Sequence, residues 1–222
     1  MFAEFFCKKL MGGISLTIVT FCVGYAFALS RVKCEDFYGA VYFLTSQELQ
    51  VEAGAEFIKW DGGAGYLLKS EEGECLAISV FFDEASAQKV QKRLCASGKK
   101  TNILQKGKQK LYFKGKEKAK SNFYMGALNL FKSYMHILED CIGELEDGMT
   151  QEACKRILKT LEKQFAYSKR IYKEYNAFAT VCLQSKNSIQ EVCRDIVYLK
   201  DLRYLLCWQA EKYIELCNAF SL

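Results

Sequence analysis

Proline is missing from all 222 residues, where average usage would supply roughly ten. Proline interrupts helices and central strands, so its absence permits long unbroken elements. Histidine is nearly as scarce. His136 is the only one, which removes the His-rich metal constellations, and it sits inside a helical pattern beside Ile137, where an ordinary helix histidine is expected. Cysteine is plentiful but never close-spaced. Cys7, Cys22, Cys34, Cys75, Cys95, Cys141, Cys154, Cys182, Cys193, Cys207 and Cys217 are all ten or more residues apart, which excludes CxxC ribbons and dithiol motifs. Their odd number and scattered spacing do not form a disulfide framework, so they read as small apolar core residues kept reduced. No GxSxG, HExxH, P-loop or kinase signature occurs. The expectation is a non-enzyme with no catalytic residue, no metal site and no cofactor. A net charge of +5 is too small for a polybasic nucleic-acid binder, and no nucleic-acid partner is expected.

Charge is absent from Leu10 to Ser30. Twenty-one residues at helical rise span about 30 Å, the thickness of a bilayer's hydrocarbon. Lys8 and Lys9 precede the run; Arg31 and Lys33 follow it, offset by Glu35 and Asp36. That balance favours an inside N-terminus. Residues 1–9 are then a cytoplasmic tail, residues 10–30 a single-pass transmembrane anchor in the cell membrane, and the C-terminal part extracytoplasmic. A second reading is a cleaved signal peptide, for which Ala26-Phe27-Ala28 supplies a small-x-small site. Both place the rest of the chain outside the cytoplasm.

Two patterns follow. Tyr38–Thr45 reads as a strand, Glu48–Trp60 as a helix, and Gly62-Gly63-Ala64-Gly65 as a turn. Tyr66–Ser70 and Cys75–Phe82 read as strands joined through Glu71–Glu74. Asp83 is placed to cap a helix running to about Cys95, Gly98 ends it, and Thr101–Leu104 is a last strand. The order is β-α-β-β-α-β, which predicts a ferredoxin-like α+β domain over residues 37–105. A basic linker covers 106–115, and 116–222 is helical. Three helices are expected there. The first carries Phe131, Leu138 and Leu145; the second begins after Thr150 and runs through Phe178; the third starts at Ser188, with Glu191 completing a capping box. Short links predict a three-helix antiparallel bundle.

The run Gly62-Gly63-Ala64-Gly65-Tyr66, then Leu76-Ala77-Ile78-Ser79-Val80-Phe81, then Asp83-Glu84-Ala85-Ser86-Ala87-Gln88-Lys89-Val90 resembles the second half of a sporulation-related repeat (SPOR) domain. The variant it resembles occurs in membrane-anchored proteins of spore-forming Gram-positive bacteria, with Ala87 where that family centres its second helix on alanine. The resemblance covers residues 37–105. It implies the same βαββαβ fold and binding to peptidoglycan, especially glycan strands stripped of stem peptides, in sporulation or cell division. The first strand departs from the family: Tyr42-Phe43-Leu44-Thr45-Ser46 replaces its usual strand end.

Alternation along the strands predicts a site. It buries Leu76, Ile78, Val80 and Phe82 and turns Ala77, Ser79 and Phe81 outward, with Tyr42 and Leu44 on the same face. Tyr42, Leu44, Ser79 and Phe81 are therefore the expected glycan-binding residues, because aromatic rings stack on the C–H faces of sugars. The C-terminal helices covering this face is the alternative. Acids dominate from Glu35 to Glu84 and bases from Lys89 to Lys120, so the basic stretch is a candidate for anionic lipid or wall polymer. The functional expectation is a membrane-anchored, peptidoglycan-binding protein. The alternative is a non-enzymatic scaffold whose C-terminal helices dock on membrane-protein partners, signalled by an exposed stripe such as Leu199, Leu202 and Leu206.

Overall fold

The computed structural model describes residues 32–34, 39–47, 51–70, 73–107, 110–113 and 115–220. A short strand, β1 (Val32–Cys34), leads to β2 (Val41–Ser46), α1 (Val51–Trp60), β3 (Tyr66–Ser70), β4 (Gly73–Phe81), α2 (Glu84–Ala96) and β5 (Thr101–Lys106). Next come β6 (Leu111–Phe113), a 3-10 helix (Gly115–Lys120), and four long helices. These are α3 (Ser121–Glu146), α4 (Gln151–Ile171), α5 (Asn176–Val192) and α6 (Leu199–Asn218). The molecule is thus α+β.

The main sheet has the order β3-β4-β2-β5, antiparallel throughout. Its centre is β2, where Val41, Phe43 and Leu44 are fully buried in a run of the β-branched and aromatic residues that suit a pleated surface. The α1–β3 turn depends on glycine. A Cβ on Gly63 would lie 2.5 Å from Ile58 Cγ2, and Gly65 combines φ +56° with a Cβ position 2.5 Å from the Ala55 carbonyl oxygen. Helix α2 opens on Asp83, whose carboxylate accepts the Ser86 N–H at 2.7 Å, a cap worth about 1 kcal/mol.

One irregularity reorganises the sheet. Tyr42 pairs with Phe81 and Leu44 with Ser79, but Thr45 pairs with Ala77, so Ile78 is an extra residue in β4. Its carbonyl is taken by the Ala64 N–H at 2.8 Å, from outside the ladder. A bulge of this kind shifts the alternation by one position. Leu76, Ser79 and Phe81 therefore share a face with Tyr42 and Leu44, while Ala77 and Val80 share the other with Phe43 and Tyr66. The unbroken alternation expected from sequence is corrected accordingly.

The second face belongs to the helical half. Phe43, Tyr66, Leu68, Ala77 and Val80 join one apolar core with the residues of α3–α6, and α6 packs directly on β4 and β3. The Tyr66 hydroxyl donates to the Glu211 carboxylate at 2.5 Å, and its ring meets Tyr204 edge-on at 5.0 Å. On the first face, Leu44, Leu76, Ile58 and Ala87 are buried between sheet, α1 and α2. Neither face of the sheet is bare.

The expected three-helix bundle is a four-helix one: α3–α4, α4–α5, α5–α6 and α6–α3 pack as neighbours. Two breaks fell where no glycine or proline marks them. The chain turns at Tyr172–Tyr175, with the Tyr175 N–H on the Tyr172 carbonyl. Both rings are held by aromatic neighbours: Tyr172 by Phe123 and Phe178, Tyr175 by Tyr124, Phe178 and Phe220. The Ser188 capping box goes unused, because α5 continues through it to Val192. The link before α6 is instead fixed by Gln151, whose amide nitrogen donates to the Val197 carbonyl at 3.0 Å and whose amide oxygen accepts the Val197 N–H at 2.9 Å. The stripe proposed as a docking face is largely core, with Leu202 and Leu206 buried.

The expected anchor over Leu10–Ser30 lies outside the described residues, and among those described no helix is long and apolar enough to cross a membrane. The expected architecture, an N-terminal transmembrane helix ahead of a three-helix bundle, therefore gives way to an α+β sheet domain joined to four helices. A two-stranded ribbon completes the fold. Val32, Lys33 and Cys34 pair antiparallel with Phe113, Tyr112 and Leu111, and the Tyr112 N–H continues to the Phe220 carbonyl at 2.7 Å.

Candidate functional site

A cleft of about 880 Å³ opens where α1, α2 and the sheet meet the ends of α3 and α6. The β4 bulge shapes its floor. Leu44 and Ser79 lie there with Ile78 and Phe81, flanked by Ile58 of α1 and Val90 and Leu94 of α2. Three of the four residues expected from sequence are therefore brought together. Leu44 is fully buried, Ser79 nearly so, and Phe81 half-buried. Tyr42 pairs with Phe81 across the ladder but does not line the cleft. The setting differs from an uncovered sheet surface, since these residues form the bottom of a groove walled by helices.

The rim is cationic on one side. Lys89 and Arg93 project from successive turns of α2 and make no ion pair among the described residues; Lys99 and Lys100 follow from the α2–β5 link. Lys99 is paired with Asp61. Arg203 of α6 closes the base, donating to the Gly62 carbonyl and to the Glu146 carboxylate at the end of α3. One guanidinium thus ties the α1–β3 turn to two bundle helices. Burial pulls the Arg203 pKa down, with nearby Arg93 adding to the effect.

The lining also carries acids. Glu139 and Asp140 of α3 lie close to Asp83 at the start of α2. Burial, then the charges of Asp140 and Asp83, push the Glu139 carboxyl up to about 7, partly opposed by a hydrogen bond from the Phe82 backbone. Asp83 is shifted the other way, held below the usual carboxylate range by the Ser86 side chain and backbone N–H. His136 stands beside Glu139, Nδ1 to Oε2 3.3 Å, with its ring 4.6 Å from that of Phe82. Burial and then Lys132 push its pKa down, against Asp140 and Asp83. Near neutral pH the lining therefore offers one partly protonated carboxyl and one that is ionised, the division of roles used in acid–base chemistry. Among the described residues no group of His, Cys, Asp and Glu is placed to hold a metal ion.

Arg93 belongs to the basic stretch read from sequence as a candidate for anionic polymers, whereas no sequence motif points to Glu139 or Arg203 as cleft residues. Glu139 with Asp140 reads as surface charge near a helix end. The available signal was register: Glu139 follows Met135 by four and precedes Ile142 by three, both buried, so it shares their stripe. No family model matches the chain, and no curated protein or solved structure matches it.

Proposed function

We propose that this protein is a non-enzymatic binding protein for peptidoglycan glycan strands, held in the cleft. The observation that carries the reading is the pairing of a floor containing Phe81 and Ser79 with Lys89 and Arg93 at the rim, neither of which has an ion-pair partner among the described residues. A wall glycan presents apolar C–H faces, hydroxyl and amide groups, and the lactyl carboxylates left when stem peptides are removed. An aromatic floor, a hydroxyl and two guanidinium or ammonium groups match those three features. The resemblance of residues 37–105 to sporulation-related repeat domains supports the same ligand. Placement on the outer side of the cell membrane rests on the charge-free run Leu10–Ser30, and digestion of residues beyond 37 by protease added to intact cells tests it.

The binding test is sedimentation with purified sacculi stripped of stem peptides. Phe81→Ala is expected to raise the dissociation constant at least about tenfold, since one lost aromatic contact and its burial cost roughly 1.5–3 kcal/mol. Replacing Lys89 and Arg93 by Gln weakens binding and flattens its salt dependence. Folded Phe81→Ala protein that sediments like the parent would overturn the reading.

The Glu139 and Asp83 pair favours a second reading, hydrolysis of the bound strand with Glu139 as proton donor. Zymography separates the two: clearing by the parent and none by Glu139→Gln selects hydrolysis, whereas binding without clearing selects the first.

A further inference from the structure

We propose that Cys141 and Cys154 join in a disulfide that staples the α3–α4 hairpin when the chain folds in the presence of a small-molecule disulfide oxidant. Their sulfur atoms are 3.4 Å apart, in contact across two antiparallel helices joined by the short turn after Glu146. The contact is fixed by packing: Cys141 is 1% and Cys154 0% exposed. Closing to the covalent distance of about 2.05 Å asks for little more than an ångström of approach from the 3.4 Å contact.

The two thiols are not equivalent. Cys154 lies in the first turn of α4, behind the Thr150 cap, with Lys155 next to it. Burial pushes both thiols up, so the exchange belongs to folding before the bundle closes; at Cys154 the positive end of a helix and a neighbouring ammonium work against that rise. Cys141 lies in the last two turns of α3, near Glu144, where the helix end and the carboxylate add to it. Cys154 is thus the sulfur that attacks first. Its thiolate displaces one thiol from the oxidant and forms a mixed disulfide. Cys141 then attacks the Cys154 sulfur and releases the second thiol. The two cysteines together lose two protons and two electrons, and the oxidant leaves as two thiols. Once the bundle closes, burial shields the bond from reductant. The remaining buried cysteines, Cys182, Cys207 and Cys217, show no such sulfur–sulfur contact among the described residues.

The 222-residue chain is reduced, unfolded and refolded in detergent over reduced and oxidised glutathione. Free thiols are then blocked with N-ethylmaleimide, and the protein is digested without reductant. The expected product is one linked peptide pair holding Cys141 and Cys154, lighter than the two separate peptides by two hydrogens. The oxidised protein melts roughly 6–12 °C above its reduced form, and the Cys141→Ala/Cys154→Ala double variant shows no such oxidation-dependent rise. Refolding of Cys141→Ser accumulates glutathione on Cys154 faster than Cys154→Ser accumulates it on Cys141. The same digest on protein purified from cells without reductant reads the bond as the cell makes it. Recovery of both cysteines singly blocked in both preparations, or linked mainly to other cysteines, overturns the proposal.

Discussion

Glu139 combines a strongly displaced carboxyl with a place on the cleft lining that solvent reaches. Its carboxyl titrates at about 7 in the folded protein against 4.5 ordinarily. Between those values the native state keeps a proton that the unfolded chain gives up, so stability falls as pH rises through this window and levels off above it. For a side chain one-quarter exposed the loss is on the order of 2 kcal/mol. His136 acts in the opposite sense: with its folded pKa pushed below 6.5, its contribution is lost as pH falls. Comparing Glu139→Gln with the parent isolates the first effect. The variant is expected to lose the decline between pH 5 and 7.5 and to melt higher at pH 8, measured by thermal denaturation. A parent whose stability rises monotonically over that window would contradict the assignment. Gln209 offers a second test at this scale. It is fully buried on α6, and neither amide atom meets a protein partner among the described residues. Such a group costs about 1–3 kcal/mol, so Gln209→Met is expected to raise the denaturant midpoint with an unchanged slope.

At the level of elements, the α5–α6 link shows how one side chain replaces a missing local signal. Residues 193–198 contain neither glycine nor proline, and Val197, 2% exposed, has its N–H and carbonyl satisfied by Gln151 from the start of α4. Gln151→Ala orphans both groups. The expected cost is about 1–3 kcal/mol with faster amide exchange at Val197, while Gln151→Glu keeps one of the two bonds and falls between. The same link explains why three helices were read where four exist. The period-3.6 signal was correct along each stretch, but the breaks at Tyr172–Tyr175 and 193–198 are set by aromatic packing and by Gln151, contacts between residues far apart in sequence. The strand order was legible because Gly62–Gly65, Gly73 and Gly98 punctuate it. The face assignment was not, since the bulge at Ile78 is created by Ala64 binding a carbonyl that the ladder leaves free. Three cleft-floor residues were nonetheless named from sequence, through the aromatic and small polar pattern of β2 and β4. The acidic lining was invisible there because its members come from α2 and α3, which only the tertiary fold brings together.

For the molecule as a whole, the sheet domain and the helical half share one core along α6, and Arg203 is the polar tie at their cleft side. Its bonds to Gly62 and Glu146 hold the α1–β3 turn against the bundle. Arg203→Met retains much of the buried stem and removes both bonds. Global stability is expected to change by about 1–2 kcal/mol, while amide exchange around Gly63 and Ala64 accelerates several-fold more than in the bundle. Uniform acceleration across both halves would show that Arg203 is not a local tie. Sedimentation with sacculi, the readout of the proposed binding, is expected to weaken in the same variant, because the cleft base is no longer fixed.

The ribbon of β1 and β6 has a mechanical corollary. Val32 is zipped to Phe113, and the neighbouring Tyr112 is bonded to Phe220, so the beginning and the end of the described fold are fastened at a single knot. A pull on the leading segment would load that knot and the tail of α6 directly.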